Sequence, residues 1–120
     1  MNTKGKNMKA EIKKIARHYG IRRQTLKTLE ELNELGAELR WLANLNIEPL
    51  HLVSVEEIDK QLAKVCEEIA DVEVMIAQLK FLFDCDEQVE TIKKFKVNRE
   101  LERMKKENES KIQKISTINK

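Results

Sequence analysis

Apolar residues recur every three or four positions along most of this chain, which is the spacing of an amphipathic α-helix. The pattern predicts a first helix over residues 8–19, and Gly20 is a typical helix stop. A second helix is predicted over residues 22–45, with Pro49 in the connection that follows it. This second helix carries a broad stripe of leucines. They are Leu26, Leu29, Leu32, Leu35, Leu39 and Leu42.

The third predicted helix, over residues 55–83, has the most regular pattern of the chain. Ser54 lies three residues before Glu57, which is the spacing of a capping box at a helix start. The apolar residues of this helix alternate four and three apart and form a heptad seam, which is suited to packing lengthwise against another helix. The seam consists of Ile58, Leu62, Val65, Ile69, Val72, Ile76, Leu79 and Phe83.

A fourth helix is predicted to begin near Glu87. Beyond about Lys106 the chain loses its apolar periodicity, so residues 107–120 are expected to form a frayed or disordered basic tail. Residues 1–106 are predicted to be a single all-α domain, an antiparallel bundle of about four helices. The positions expected to be buried on the fourth helix are Val89, Ile92, Leu101 and Met104.

The composition favours helices and an oligomer. Three glycines, one proline and 4% aromatic residues leave few turn formers and little material for sheets, whereas 37% charged residues suit amphipathic helices. A polar domain of 120 residues has difficulty burying a large core. The other helices also look too short to cover both the heptad seam and the leucine stripe. We therefore expect a homo-oligomer, a dimer or a tetramer, that completes the helical bundle.

The sequence also argues against several classes of protein. No apolar run approaches the ~18 residues of a membrane span, and the first residues, MNTKGKNMKA, contain no apolar signal-peptide segment. Cys66 and Cys85 are isolated and lack the paired spacing of a zinc site. We expect a cytoplasmic protein with no membrane partner.

The net charge of +2 hides a strong asymmetry along the chain. Residues 1–28 carry a net charge of +8, residues 29–87 carry −11 and residues 88–120 carry +5. An acidic centre between basic flanks suits a metal site whose ligand is a polyanion. Solvated helix faces would give the same asymmetry, so charge alone leaves both interpretations open.

Two groups of carboxylates border the apolar stripes. Glu31, Glu34 and Glu38 are three and four apart on the second helix, and Glu68 and Asp71 are three apart on the third. If these two helices pack together, both groups approach the same space between them. Carboxylates that are desolvated and held close together need a cation, and hard oxygen ligands suit Mg²⁺ or Mn²⁺. In a chain this rich in glutamate, the alternative is a solvated helix face.

The sequence around these carboxylates resembles that of a known family. Residues 30–34 read EELNE, and residues 67–79 read EEIADVEVMIAQL. Together they resemble the MazG-like, all-α nucleoside triphosphate pyrophosphohydrolases, whose signature is EExxE on one helix and ExxD on the next. The resemblance spans roughly residues 19–104 and implies a Mg²⁺-dependent enzyme that converts (d)NTP to (d)NMP and pyrophosphate. It implies that the catalytic, metal-binding residues are Glu31, Glu34, Glu68 and Asp71.

The resemblance also implies a nucleoside triphosphate substrate and residues that bind it. Lys96, Arg99 and Arg103 recur three and four apart on the fourth helix, where one basic face can hold phosphate oxygens, and Asn98 lies among them. Trp41, near the end of the second helix, can stack on a nucleobase, although packing in an interface is the commoner role of such a tryptophan.

Two functions of other classes are compatible with the sequence. Ala16, Gly20 and the basic residues around them resemble a helix-turn-helix, which would make the chain a DNA-binding regulator. Its recognition helix would run directly into Glu30 and Glu31, which DNA repels, so nucleic acid is not the expected partner. A coiled-coil scaffold would use the heptad seam for assembly and have no chemistry.

Overall fold

The computed structural model describes residues 3–44 and 54–118, with side chains from residue 7 onward. These residues form three helices, α1 (Thr3–Asn44), α2 (Val55–Leu82) and α3 (Asp86–Ile118). No strand occurs in this part of the chain, so the predicted all-α class is confirmed. Within the same ranges, no helix combines the length and apolar content that a membrane crossing requires. Pro49 lies outside the described residues.

Gly20 divides α1 into two helical segments. Its backbone has φ 83° and ψ 170°, which are not helical values. A side chain here would be strained by the positive φ, although nothing lies within 4 Å of the place its Cβ would occupy. The two segments correspond to the first and second predicted helices. The structure has three helices instead of about four because this break is a single residue.

Both ends of α2 follow from local chemistry. At the start, the Ser54 hydroxyl accepts a hydrogen bond from the backbone N–H of Glu57 at 3.2 Å. Glu56 and Glu57 lie in the first turn, where carboxylates interact favourably with the helix dipole. Beyond the last turn, Asp84 has a φ of 50°, a left-handed conformation that does not continue a helix. The helix start predicted at Ser54 is confirmed.

Contacts divide the chain into two units, Met1–Asp84 and Cys85–Lys120. In the first unit, α1 and α2 pack side by side. The side chain of Gln24 contacts that of Gln78, and the side chain of Glu38 contacts that of Gln61. Residue numbers rise along one helix as they fall along the other, so α1 and α2 form an antiparallel hairpin.

The interior of the hairpin is more polar than apolar. α1 turns a polar row towards α2, since Gln24, Thr28 and Glu31 are buried and recur at helical spacing. The Thr28 hydroxyl donates a hydrogen bond to the carbonyl of Gln24 at 2.6 Å, which satisfies it inside the interface. The buried apolar residues are Ala16, Val65, Val72 and Met75, and the buried polar ones are Gln24, Thr28, Glu31, Gln61 and Gln78.

The leucine stripe of α1 does not form the packing surface against α2. Most of its members are exposed, and Leu35 and Leu42 are only half-buried. The expectation that this stripe packs on the heptad seam is therefore wrong for the exposed leucines. The physical reason is that the polar row finds hydrogen-bond partners inside the hairpin, so its burial is tolerated. The exposed leucines are Leu26, Leu29, Leu32 and Leu39.

Only half of the heptad seam of α2 contacts α1. One set, repeating every seven residues, is buried or half-buried and consists of Ile58, Val65, Val72 and Leu79. The other set, with the same repeat, is exposed and consists of Leu62, Ile69, Ile76 and Phe83. A seam with four-and-three spacing presents two adjacent rows, and one row remains uncovered.

Six exposed apolar residues lie on one side of the hairpin. Each directly follows a residue that faces the partner helix, as Leu32 follows Glu31 and Ile69 follows Glu68. A helix turns about 100° per residue, and in two antiparallel helices the positions just after the facing row fall on the same side of the pair. We call this the leucine–isoleucine face. It consists of Leu29, Leu32, Leu39, Leu62, Ile69 and Ile76.

The second unit contains α3, a long helix of which no residue is buried. Val89 is half-buried, whereas Ile92, Leu101 and Met104 are exposed, so the expectation that these three are buried is wrong. The helix continues to Ile118, although the sequence predicts a frayed tail from residue 107. Lysine and glutamate are abundant there and form helices well, so no apolar stripe is needed for a helical conformation.

Candidate metal centre

Helical spacing and the antiparallel register bring four carboxylates together between α1 and α2. One carboxylate oxygen from each of Glu31, Glu68 and Asp71 lies within 4.8 Å of the others. Glu34, three residues after Glu31, is close enough to Glu68 to raise the pKa of its carboxyl group. The structure thus brings together the four residues that the sequence analysis selected as metal ligands. Their role as ligands stays a prediction.

Two oxygens of this cluster are buried and lack a polar partner. Glu31 is only 7% exposed, and its Oε2 has no hydrogen-bond partner among the described residues. Oε2 of Glu68 is also buried and has no hydrogen-bond partner within the described ranges. A buried carboxylate oxygen without a donor is destabilising. A bound cation would satisfy both oxygens at once, so this geometry fits a metal ion.

The surroundings of Glu68 raise the pKa of its carboxyl group above the usual value. Desolvation by burial is the largest cause, followed by repulsion from Glu34, Asp71 and Glu31. A side-chain hydrogen bond with Glu34 raises the pKa further. Without a cation, the cluster therefore favours retention of a proton on Glu68. A divalent cation would favour the ionised carboxylate instead.

Lys27 partly neutralises the cluster. Its Nζ lies 3.3 Å from Oε1 of Glu31 and 3.3 Å from Oε2 of Glu30. Hydrogen bonds to Glu31 and then to Glu30 raise the pKa of Lys27, so it is charged. One ammonium cannot balance four neighbouring carboxylates. The sequence analysis missed Lys27, although its position four residues before Glu31 is the spacing of a helical ion pair.

Two polar contacts flank the cluster along the hairpin. At one end, Nε2 of Gln24 donates to Oε1 of Gln78 at 2.7 Å, and Gln78 is 2% exposed. At the other end, Nε2 of Gln61 donates to the backbone carbonyl of Glu38 at 3.2 Å and to its carboxylate. Buried amides that lose such partners destabilise an interface. These contacts therefore hold both helices in the rotation that aims the carboxylates inward.

The side of the hairpin opposite the leucine–isoleucine face carries the open edge of the cluster. Asp71 directly precedes the buried Val72, and Glu34 directly precedes the half-buried Leu35. By the same helical geometry, positions just before the facing row lie on this opposite side of both helices. We call it the carboxylate face. A ligand from solvent can approach the four carboxylates from there.

The residues predicted to bind substrate are on α1 and α3. Trp41, near the end of α1, is 37% exposed and directly precedes Leu42, which places it on the carboxylate face. The basic candidates on α3 are exposed, and two of them have contacts within α3. Arg99 lies over the ring of Phe95, with its guanidinium carbon 5.8 Å from the ring centre. Nη1 of Arg103 lies 3.4 Å from Oε2 of Glu100. The exposed candidates of α3 are Lys96, Asn98, Arg99 and Arg103.

Four converging carboxylates present only hard oxygen donors. This donor set suits Mg²⁺ or Mn²⁺ and gives no soft ligand for other transition metals. Comparisons of the chain with protein-family models, with curated proteins and with solved structures gave no match. The function must therefore be inferred from the carboxylate cluster and its surroundings.

Proposed function

We propose that the protein is a Mg²⁺-dependent nucleoside triphosphate pyrophosphohydrolase, which converts (d)NTP to (d)NMP and pyrophosphate. The observation that carries the proposal is the convergence of Glu31, Glu68 and Asp71, with Glu34 close to Glu68 and with two buried oxygens that lack polar partners among the described residues. Structural carboxylates on a solvated helix face would point outward and stay hydrated. Glu31 and Glu68 instead each bury an oxygen in the hairpin, with Glu34 and Asp71 exposed beside them. A bound cation would stabilise this arrangement with all four carboxylates ionised.

Glu31, Glu34, Glu68 and Asp71 would hold the ion, with Mn²⁺ as a substitute for Mg²⁺. The ion supplies charge screening for the triphosphate and a more acidic bound water. These four carboxylates would hold the ion next to the carboxylate face, from which a ligand can approach. Water attack between the α and β phosphorus atoms breaks the phosphoanhydride and gives the monophosphate and pyrophosphate. The buried amides of Gln24 and Gln78 keep the helix rotation on which this arrangement depends.

The resemblance to the MazG-like pyrophosphohydrolases supports the same proposal. The four residues that it implies as ligands are those that meet between α1 and α2. The resemblance extends to α3, where we propose that Lys96, Arg99 and Arg103, with Asn98 beside them, bind phosphate oxygens of the substrate. All four side chains are exposed and available to a ligand.

We also propose that the functional form is a homo-oligomer, in which a second copy covers the leucine–isoleucine face. Its six side chains are each between 40% and 54% exposed. Burying the exposed half of each would contribute roughly 0.7–1.5 kcal/mol, or about 4–9 kcal/mol per subunit. That is comparable with the stability of a whole domain. A two-fold arrangement of two hairpins would bury the faces against each other as a four-helix bundle, dimeric or further paired into a tetramer.

The two other functions fit the structure less well. A helix-turn-helix joins its helices through a turn of three to four residues, whereas a single residue, Gly20, breaks α1. A coiled-coil scaffold explains the exposed row of α2. It does not explain why Glu31 and Glu68 are turned into the hairpin with unpartnered oxygens.

The direct experiment incubates the purified protein with a panel of NTPs and dNTPs and measures pyrophosphate release. We expect release of pyrophosphate and monophosphate with Mg²⁺ and none with EDTA. Calorimetric titration with Mg²⁺ alone should show stoichiometric binding. An absence of both Mg²⁺ binding and pyrophosphate release would overturn the proposal and leave the scaffold. A steep salt-dependent shift of DNA would instead favour the regulator.

A further inference from the structure

A row of cationic and aromatic side chains runs along α1 away from the carboxylate cluster. Tyr19, Arg23 and Lys27 are spaced four residues apart. Arg23 directly precedes the buried Gln24, and Lys27 directly precedes the buried Thr28, so both lie on the carboxylate face. We call Tyr19, Arg23 and Lys27 the basic–aromatic track.

One end of the track contains a contact between Tyr19 and Arg23, and the other end contacts the carboxylate cluster through Lys27. The guanidinium carbon of Arg23 lies 4.3 Å from the centre of the Tyr19 ring, a cation–π contact that orients the ring. Nζ of Lys27 lies 3.3 Å from Oε1 of Glu31. The track side chains line a shallow groove together with Arg22, Leu26 and Glu30.

From this arrangement we infer that the basic–aromatic track is the binding site for the polyphosphate and base of a nucleoside triphosphate. Lys27 and Arg23 would bind phosphate oxygens beyond the metal. The Tyr19 ring, which is 41% exposed and also meets the His18 ring edge to face at 4.7 Å, would stack on the base. This inference rests on the proposed metal centre. It adds a site on α1 that is distinct from the basic residues of α3.

The dimensions of the track agree with an extended ligand. At 1.5 Å per residue, Lys27 lies about 6 Å and Arg23 about 12 Å along α1 from Glu31. Tyr19 lies just beyond, against Arg23. A nucleoside triphosphate presents phosphates, ribose and an aromatic ring in that order. The track thus offers the matching groups in the matching order, starting from the carboxylates that would hold the ion.

Charge decides in which direction the ligand lies. Towards the other end of α1, a ligand that leaves the cluster passes Glu34 and Glu38 before it reaches Trp41. On the Tyr19 side, Lys27 and Arg23 follow the cluster directly, and Glu30 is already paired with Lys27. On the Trp41 side, the cations of the carboxylate face, Lys64 and Lys60 of α2, come only alongside and beyond Glu34 and Glu38, so a polyanion is attracted more strongly along the path through Lys27 and Arg23. The base should therefore stack on Tyr19 and not on Trp41.

The ion pair between Lys27 and Glu31 does not prevent this role. When a cation takes up the charge of Glu31, Lys27 loses part of its attraction to that carboxylate. Its ammonium is on a long flexible side chain and is half exposed, so it can turn to a phosphate oxygen on the same face. Glu30 remains as its second partner.

Calorimetry with Mg²⁺ and inorganic tripolyphosphate tests the phosphate part of the track. Arg23→Gln and Lys27→Met should each weaken tripolyphosphate binding about tenfold, since each removes one charge-assisted contact. The control is Arg40→Gln, which removes the same charge from α1 at an exposed position outside the track. Its affinity should stay close to wild type. Equal weakening in Arg40→Gln, or none in Arg23→Gln and Lys27→Met, overturns the inference.

A second titration, with the α,β-methylene analogue of a nucleoside triphosphate, tests the base. Tyr19→Ala should weaken binding of the analogue about tenfold and leave tripolyphosphate binding unchanged, whereas Tyr19→Phe should restore the analogue. If Trp41→Ala weakens binding of the analogue and Tyr19→Ala has no effect, the assigned direction is wrong.

The same titrations distinguish failure of the track from failure of the proposed enzyme. Tripolyphosphate binding that depends on Arg23 and Lys27, without pyrophosphate release from any triphosphate, would reject the enzyme and keep the track. If the wild-type protein releases pyrophosphate and the Arg23, Lys27 and Tyr19 variants bind both ligands normally, the track is rejected and the proposed enzyme is kept.

Discussion

The interior of the α1–α2 hairpin and its leucine–isoleucine face have the reverse of the polarity that is usual in a small protein. The interior buries polar side chains such as Gln24, Thr28 and Glu31, whereas the leucine–isoleucine face keeps six large apolar side chains in solvent. Apolar residues normally occupy the interior because their burial drives folding. This distribution is the basis for the proposals that the interior binds a cation and that the leucine–isoleucine face is covered by a second copy.

The interior itself contains two kinds of polar residue. Gln24 and Gln78 satisfy each other, so they stabilise the packing of the helices without any ligand. Glu31 and Glu68 each retain a buried oxygen without a partner among the described residues. The contrast separates the polar residues that hold the hairpin together from those for which we propose a bound cation.

The largest effect is expected when the interior loses a metal ligand. Glu31→Gln, Glu34→Gln, Glu68→Gln and Asp71→Asn should each reduce turnover with Mg²⁺ about 100-fold or more, because even residues behind the ligands contribute 10–100-fold. Circular dichroism should show unchanged helicity. Glu11→Gln is the control, since Glu11 is an exposed glutamate of the α1 segment before Gly20, far along the chain from the cluster. Near-wild-type turnover in two of the four variants would show that the site is misassigned.

The next effect concerns the leucine–isoleucine face. Ile69→Lys or Ile76→Lys should lower the oligomeric state, the thermal stability and the activity together, because a charge would be buried between subunits. Val74→Lys is the control, since Val74 is as exposed as Ile76 and precedes the buried Met75, on the opposite side.

Analytical ultracentrifugation or light scattering at micromolar concentration measures the assembly of these proteins. A folded, active wild-type species near the 14.1 kDa monomer mass would contradict the proposed oligomer. The same mass for the Ile69→Lys and Val74→Lys variants would show that the leucine–isoleucine face is not the contact surface.

A smaller effect is expected outside the hairpin, on α3. Lys96→Ala, Arg99→Ala and Arg103→Ala should each raise KM for the triphosphate about tenfold, since a charge-assisted phosphate contact contributes roughly 1.5–3 kcal/mol. Mg²⁺ binding measured by calorimetry should change little. Lys94→Ala is the control, because Lys94 is an exposed cation on the opposite side of α3. Unchanged KM in all three variants would exclude this phosphate site.

The smallest effect is the pH dependence of stability without metal. The raised pKa of Glu68 means that the folded protein binds this proton more readily than the unfolded chain. Its contribution to stability is therefore complete below the ordinary glutamate pKa and is lost as pH rises through the raised pKa. Glu31, Glu34 and Asp71 repel the ionised form and cause part of this loss.

Thermal denaturation in EDTA, compared between wild type and Glu68→Gln, isolates this contribution. The variant should be the more stable protein at neutral pH, and the difference should shrink as the pH falls. Saturating Mg²⁺ should stabilise wild type at neutral pH, because the ion binds only the folded site. A difference between the two proteins that does not depend on pH would contradict the assignment.

The sequence by itself determined the helical class, the break at Gly20, the start of α2 at Ser54 and the pairing of four carboxylates by helical spacing. These features depend on local backbone preferences and on the helical period of about 3.6 residues, and residues close together in the sequence determine both. The residues of the candidate centre were therefore selected from the sequence, whereas their function remains a prediction.

Only the tertiary structure decided how each helix is rotated about its own axis. The apolar pattern of α1 predicted that leucines face α2, but the contacts between Gln24 and Gln78 turn a polar row inward instead. Rotation depends on contacts between residues far apart in the chain, and the pattern of one helix does not contain them. The same rotation turns Glu31 and Glu68 into the hairpin and aligns Lys27 and Arg23 on the carboxylate face.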